Sequence, residues 1–134
     1  MIPILVASNT GYAGRTFLSL GLAMKLREMG HSVGFMKPIG TVPIKSGSSV
    51  YDADALFIKE VLELDEPLET ISPFIRTYEN QTLLFQGKIK DAQKDVLTAF
   101  KSLKKKDFVI LCGGGDFFEG SLLEIQGYFG GARQ

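Results

Sequence analysis

Phosphate chemistry asks for converging backbone amides, a cation for the terminal phosphates and a hydroxyl for magnesium. Gly11 and Gly14 supply the small residues of such a loop, and Thr16 supplies the hydroxyl. Arg15 stands where a lysine is expected and Asn9 where the first glycine would be, so the bare pattern GxxxxGK(S/T) is not met. Arginine is planar and forked; it binds phosphate, but without the point-charge geometry of lysine. Two further groups lie downstream. Lys37 precedes Pro38 at the end of an apolar segment. Asp52 and Asp54 open a stretch with helical spacing, where a helix dipole favours negative charge. The competing structural readings are a plain strand-to-helix turn, a solvated strand-end lysine and a charged helix N-terminus.

These groups need elements to hold them. Residues 2–7 are a continuous apolar run, the pattern of a strand covered on both faces. From Thr16 the period becomes helical, with Phe17, Leu20, Met24 and Leu26 on the apolar side and Gly30 as the stop. Residues 32–38 form a second strand, which completes a βαβ unit. Residues 40–49, rich in Gly, Ser, Thr and Pro, are expected to be a loop. Helical spacing returns over 52–64 through Leu56, Ile58, Val61, Leu62 and Leu64. Residues 67–87 leave helix, strand and loop open. A helix over 89–105 turns Val96, Leu97, Phe100 and Leu103 inward and ends in a solvated lysine cluster. Residues 107–112 are the third buried strand, running into Gly113-Gly114-Gly115-Asp116. The expected architecture is therefore α/β, a three-layer, Rossmann-like parallel half-sheet, truncated or forming an interface at its carboxyl end.

Composition bounds the partners. The 134 residues fit one domain, 1–134. Fifteen basic residues balance fifteen acidic ones, which argues against nucleic acid held by bulk charge. The single cysteine, Cys112, excludes an internal disulfide framework and is expected to be a small buried apolar residue. The first residues lack a basic flank, and no apolar run approaches the roughly 18 residues of a membrane span. A cytoplasmic chain with no membrane partner is the expectation. Phe117-Phe118 and Tyr128-Phe129 fall where the sheet is incomplete, and are expected to cover an open edge in a homodimer.

Four segments in order carry a resemblance: Gly11-Tyr12-Ala13-Gly14-Arg15-Thr16, Met36-Lys37-Pro38-Ile39-Gly40, Asp52-Ala53-Asp54-Ala55-Leu56 and Leu111-Cys112-Gly113-Gly114-Gly115. They resemble dethiobiotin synthetase and the related N-terminal domain of some phosphotransacetylases, from about residue 2 to about residue 120. The resemblance implies a P-loop NTPase-like fold that binds ATP, or another nucleotide, with magnesium. It places Gly11, Tyr12, Ala13, Gly14, Arg15 and Thr16 around the phosphates and makes Thr16 and Asp54 the magnesium ligands. Lys37 becomes the catalytic contact to substrate or phosphates.

Three departures from that family coincide. Arg15 replaces the loop lysine, Cys112 replaces a magnesium-binding glutamate, and the carboxyl-terminal half of the family fold is missing. Asp116 is the nearby carboxylate that would have to stand in. Magnesium prefers oxygen, so a thiol is a poor ligand, and losing the lysine weakens stabilisation of a migrating phosphoryl group. The expected function is a degenerate P-loop module that binds a nucleotide or phosphate, regulatory or interactive, with weak or no catalysis. An active dethiobiotin synthetase-like ligase and a purely structural dimerisation domain are the alternatives.

Overall fold

Apolar runs of four or five residues are too short for helices, and here they build the sheet. The computed structural model describes residues 1–7, 14–87 and 92–113. In chain order the first elements are β1 (Ile2–Val6), α1 (Arg15–Glu28), β2 (Val33–Met36), β3 (Ile39–Gly40), β4 (Pro43–Ser46) and β5 (Ser49–Asp52). They are followed by α2 (Ala53–Leu62), α3 (Leu68–Ile71), β6 (Phe74–Ile75), α4 (Tyr78–Phe85), α5 (Ala92–Ser102) and β7 (Phe108–Cys112).

The main sheet has the order β1-β7-β2, all parallel. Val6 lies opposite Cys112 and Met36 opposite Leu111. The βαβ unit therefore does not pair its own strands; β7 fills the gap between them. Side chains alternate across β7, as strand geometry requires. Val109 and Leu111 join Met36, Val96, Ala99 and Leu103 on the face covered by α5. Ile110 and Cys112 join Phe35, Ala23 of α1, and Ile58 and Leu62 of α2 on the other. Helices cover both faces, so the molecule has three layers.

Several expectations need correcting. β1 is not covered on both faces: Ile2 is 57% exposed and only Val6 is buried, because β1 ends the sheet among the described residues. α1 meets the core along Ser19 and Ala23, with Leu20, Leu22 and Leu26 beside them, while Phe17 and Met24 face outward. Small side chains let the helix axis approach the sheet, so the contact line follows them rather than the largest apolar residues.

Residues 40–49 are not a plain loop. β4 and β5 form an antiparallel hairpin closed by Gly47-Ser48, and Gly47 adopts φ +64°, suited to a two-residue hairpin turn. The hairpin returns the chain so that Asp52 lands at the start of α2. Residues 67–87 hold α3, then β6 paired in parallel with β3, then α4. Phe117, Phe118, Tyr128, Phe129 and Asp116 lie outside the described residues. No helix among the described residues is long and apolar enough to cross a membrane.

Candidate functional site

The carboxyl ends of β1, β7 and β2 meet the N-terminal ends of α1 and α2, where open α/β sheets bind ligands. Gly14 opens α1 with φ +77°, a left-handed conformation that favours glycine, and among the described residues no side chain caps this helix. The N-termini of α2 and α4, by contrast, are capped by Asp52 and Thr77. α1 also carries no acidic residue in its first turn, so its dipole is not offset there. Arg15 starts the helix and donates from Nε to the Gly113 carbonyl at 3.0 Å. The Gly113 amide in turn donates to Val6 at 2.8 Å, which joins the end of β7 to β1.

Lys37 is an enclosed cation at the end of β2. Its amide donates to the Ile71 carbonyl and its carbonyl accepts from Ser72 Oγ, both at 2.7 Å, so α3 and its end pin the backbone. The residue is only 2% exposed. Its ammonium contacts Asp52 Oδ2 at 3.1 Å and Asp54 Oδ2 at 2.9 Å. A solvated strand-end lysine is thereby excluded. Two elements deliver the carboxylates: the hairpin brings Asp52, and the first turn of α2 brings Asp54. Gly40 makes the approach possible. A Cβ there would lie 2.8 Å from Asp52 Cβ and 2.9 Å from Ser72 Oγ.

Cys112 sits beneath these groups, buried at the end of β7. Burial pushes its thiol up, while the hydroxyls of Ser19 and Thr16 and the charges of Lys37 and Arg15 pull the other way. The neutral thiol wins. Cys112 is therefore a packing residue shared by α1 and the Lys37 cage rather than a nucleophile.

For a hard cation, the oxygen donors on offer are the Asp54 carboxylate, 36% exposed, and the Thr16 hydroxyl, half-buried. Magnesium ordinarily takes one or two protein carboxylates and completes its shell with phosphate oxygens and water. The set fits a magnesium that arrives with phosphates, not one held by protein alone. Among the described residues no group of three or more His, Cys, Asp or Glu is placed to hold a metal.

Of the residues singled out by sequence, Lys37 and Asp54 are in direct contact, and Arg15 and Thr16 both border Cys112. Gly14 is at the mouth of α1. Gly11, Tyr12 and Ala13 lie outside the described residues. Two participants were not foreseen in their actual roles. Asp52, expected to charge a helix end, is also the buried partner of Lys37; its spacing before Ala55 signals only the cap. Ser19 is buried on α1 with its hydroxyl beside Cys112, and a lone serine in a helix carries no signal of that.

No family model matches the chain. Curated relatives do. An ATP-dependent dethiobiotin synthetase from Nitrosopumilus maritimus is 31% identical over 118 residues, 85% of this chain and 50% of the relative. One from Methanocaldococcus jannaschii is 27% identical over 138 residues, 92% of this chain and 60% of the relative. The chain is a dethiobiotin synthetase-like P-loop protein. A third relative of the same description, from Methanococcus vannielii, is 29% identical across 81% of the chain. This dethiobiotin synthetase-like chain spans only about half the length of these relatives, 48% to 60%.

Proposed function

We propose that this chain binds the phosphates of a nucleotide, ATP with magnesium, at the N-terminal end of α1, and acts as a regulatory or interaction module with weak or no turnover. The observation that carries this reading is the self-neutralised site. Lys37 is neutralised by both Asp52 and Asp54, and Arg15 is tied through Nε to the Gly113 carbonyl. The amides of α1, uncapped among the described residues, remain as the attraction for an anion. Thr16 and Asp54 would hold magnesium, which supplies charge neutralisation at the phosphates. Arg15 and Lys37 flank the same anion, with Gly11, Tyr12 and Ala13 completing the loop. Cys112 offers no oxygen where the resemblance calls for a glutamate, which weakens any metal-assisted step. The β1 edge, unpaired among the described residues, favours a homodimer in the same proposal, and sedimentation velocity checks it.

Calorimetric titration with ATP and magnesium chloride tests the reading, alongside an ADP-release assay with a diamine carboxylate and bicarbonate. Heat of binding without ADP release is expected. Steady ADP release that needs the diamine would instead establish a working ligase, as the relatives' description suggests. That second reading is favoured by one observation, the 2.9 Å contact that puts Lys37 and Asp54 on one spot. It requires Asp54→Ala to abolish the release.

A further inference from the structure

The two carboxylates around Lys37 are not equivalent. Asp52 has a side chain with 0% exposure, and each of its oxygens has a second donor. Oδ1 accepts from the Val42 amide at 2.9 Å, and Oδ2 accepts from the Ala55 amide at 2.9 Å. Turning Asp52 away from Lys37 would uncap α2 and release the segment between β3 and β4. Gly40 lies against Asp52, and a Cβ at position 40 would come within 2.8 Å of the Asp52 Cβ. Asp54 is different. Its carboxylate is 36% exposed and held by the Lys37 ammonium at 2.9 Å.

We propose that Asp52 is a positioning residue, the fixed counter-ion of Lys37, which leaves Asp54 as the exchangeable one. This inference rests on the reading that phosphates and magnesium bind beside Lys37. A partly exposed ion pair costs little to break, whereas a buried charge stripped of its partner costs a great deal. Asp54 can therefore leave Lys37 for a ligand-borne divalent cation while the buried ammonium stays paired with Asp52. Without Asp52, Asp54 becomes the sole counter-ion and is locked in place. The buried carboxylate two residues before the metal ligand thus sets whether that ligand is available.

The test has a ligand-free arm and a nucleotide arm. Asp52→Asn keeps the oxygen that caps α2 at Ala55, because asparagine is as good an N-cap as aspartate, and loses the acceptor for the Val42 amide in both backgrounds. Melting temperatures of Asp52→Asn and Asp54→Asn are compared with and without Lys37→Met. Asp52→Asn should lower Tm by roughly 5–15 °C, and Lys37→Met should remove most of that loss. Asp54→Asn should shift Tm by roughly 0–3 °C in either background. Equal losses from the two variants, or a loss from Asp52→Asn that ignores Lys37→Met, overturn the inference.

In the nucleotide arm, calorimetry gives the ratio of ATP affinity with and without magnesium chloride. Asp52→Asn should weaken binding of ATP with magnesium, cutting the wild-type ratio by roughly threefold or more, since a bound-up Asp54 no longer favours the metal complex. A cap alone would not move that ratio, so an unchanged ratio overturns the inference. A wild-type chain that binds no ATP in either buffer defeats the proposed function, and the ligand-free arm then decides the role of Asp52 by itself.

Discussion

Arg15 Nε lies 3.0 Å from the carbonyl oxygen of Gly113, so the first residue of α1 is tied to the residue that follows β7. This bond fixes the helix N-terminus against the centre of the sheet. It also commits part of the guanidinium to the protein at the position where a P-loop lysine would point a free ammonium at phosphate.

Arg15→Lys is expected to lose the planar Nε bond and cost about 1 kcal/mol, the scale of one partly buried hydrogen bond from a charged donor. Urea denaturation measures that loss. The same variant should bind ATP with magnesium at least as tightly as wild type, because lysine suits a P-loop better. A drop in affinity of about tenfold or more would show that the forked side chain itself holds the phosphates.

Gly40→Ala places a methyl group 2.8 Å from Asp52 Cβ and from Ile75 Cδ1. Overpacking of this kind costs about 1–3 kcal/mol. A matching fall in the urea midpoint is expected, together with weaker magnesium-dependent ATP binding, since the methyl displaces the carboxylate that holds Lys37. Gly21→Ala, where nothing lies within 4 Å of the added carbon, serves as the control and should not destabilise.

Burial raises the Cys112 thiol above its ordinary value of 9.0. The folded chain therefore keeps its proton where the unfolded chain loses it. This contribution to stability is full below pH 9.0 and is lost as pH rises from there through the folded value. The Tm gap between wild type and Cys112→Ala should shift against wild type above that pH and stay constant below it. The folded chain should also resist a thiol-labelling reagent at pH 8 until denaturant is added.

Glu66 packs against Lys106 at 3.0 Å on the far side of the molecule. Burial pushes its carboxyl up, but the Lys106 hydrogen bond, the Glu66 amide and the charges of Lys106 and Lys59 outweigh it and bring the carboxyl below 4.5. Its stabilisation is present above pH 4.5 and is lost as pH falls through the folded value. Lys106→Met should cost about 1 kcal/mol near neutrality, discounted for the partly exposed lysine. Denaturation at a series of pH values should show that gap closing below pH 4.5.

Much of the frame was legible in the chain. Strands β2 and β7 announce themselves as short apolar runs, and α1 and α2 by helical spacing closed by Gly30 and opened by Asp52. Lys37 before Pro38 and Asp54 in the first turn of α2 could be placed at a strand end and a helix start, because those boundaries follow local pattern. Other features were hidden because they depend on which distant segment arrives beside a residue. β7 enters between β1 and β2 from seventy residues further on, and that insertion sets Cys112 and Gly113 next to α1. The β4–β5 hairpin turns Asp52 from a helix cap into a buried counter-ion, and the bare Cα of Gly40 makes room for it. Periodicity records which residues share a face. It does not record which charges meet across the fold, since burial and ion pairing are properties of the assembled layers.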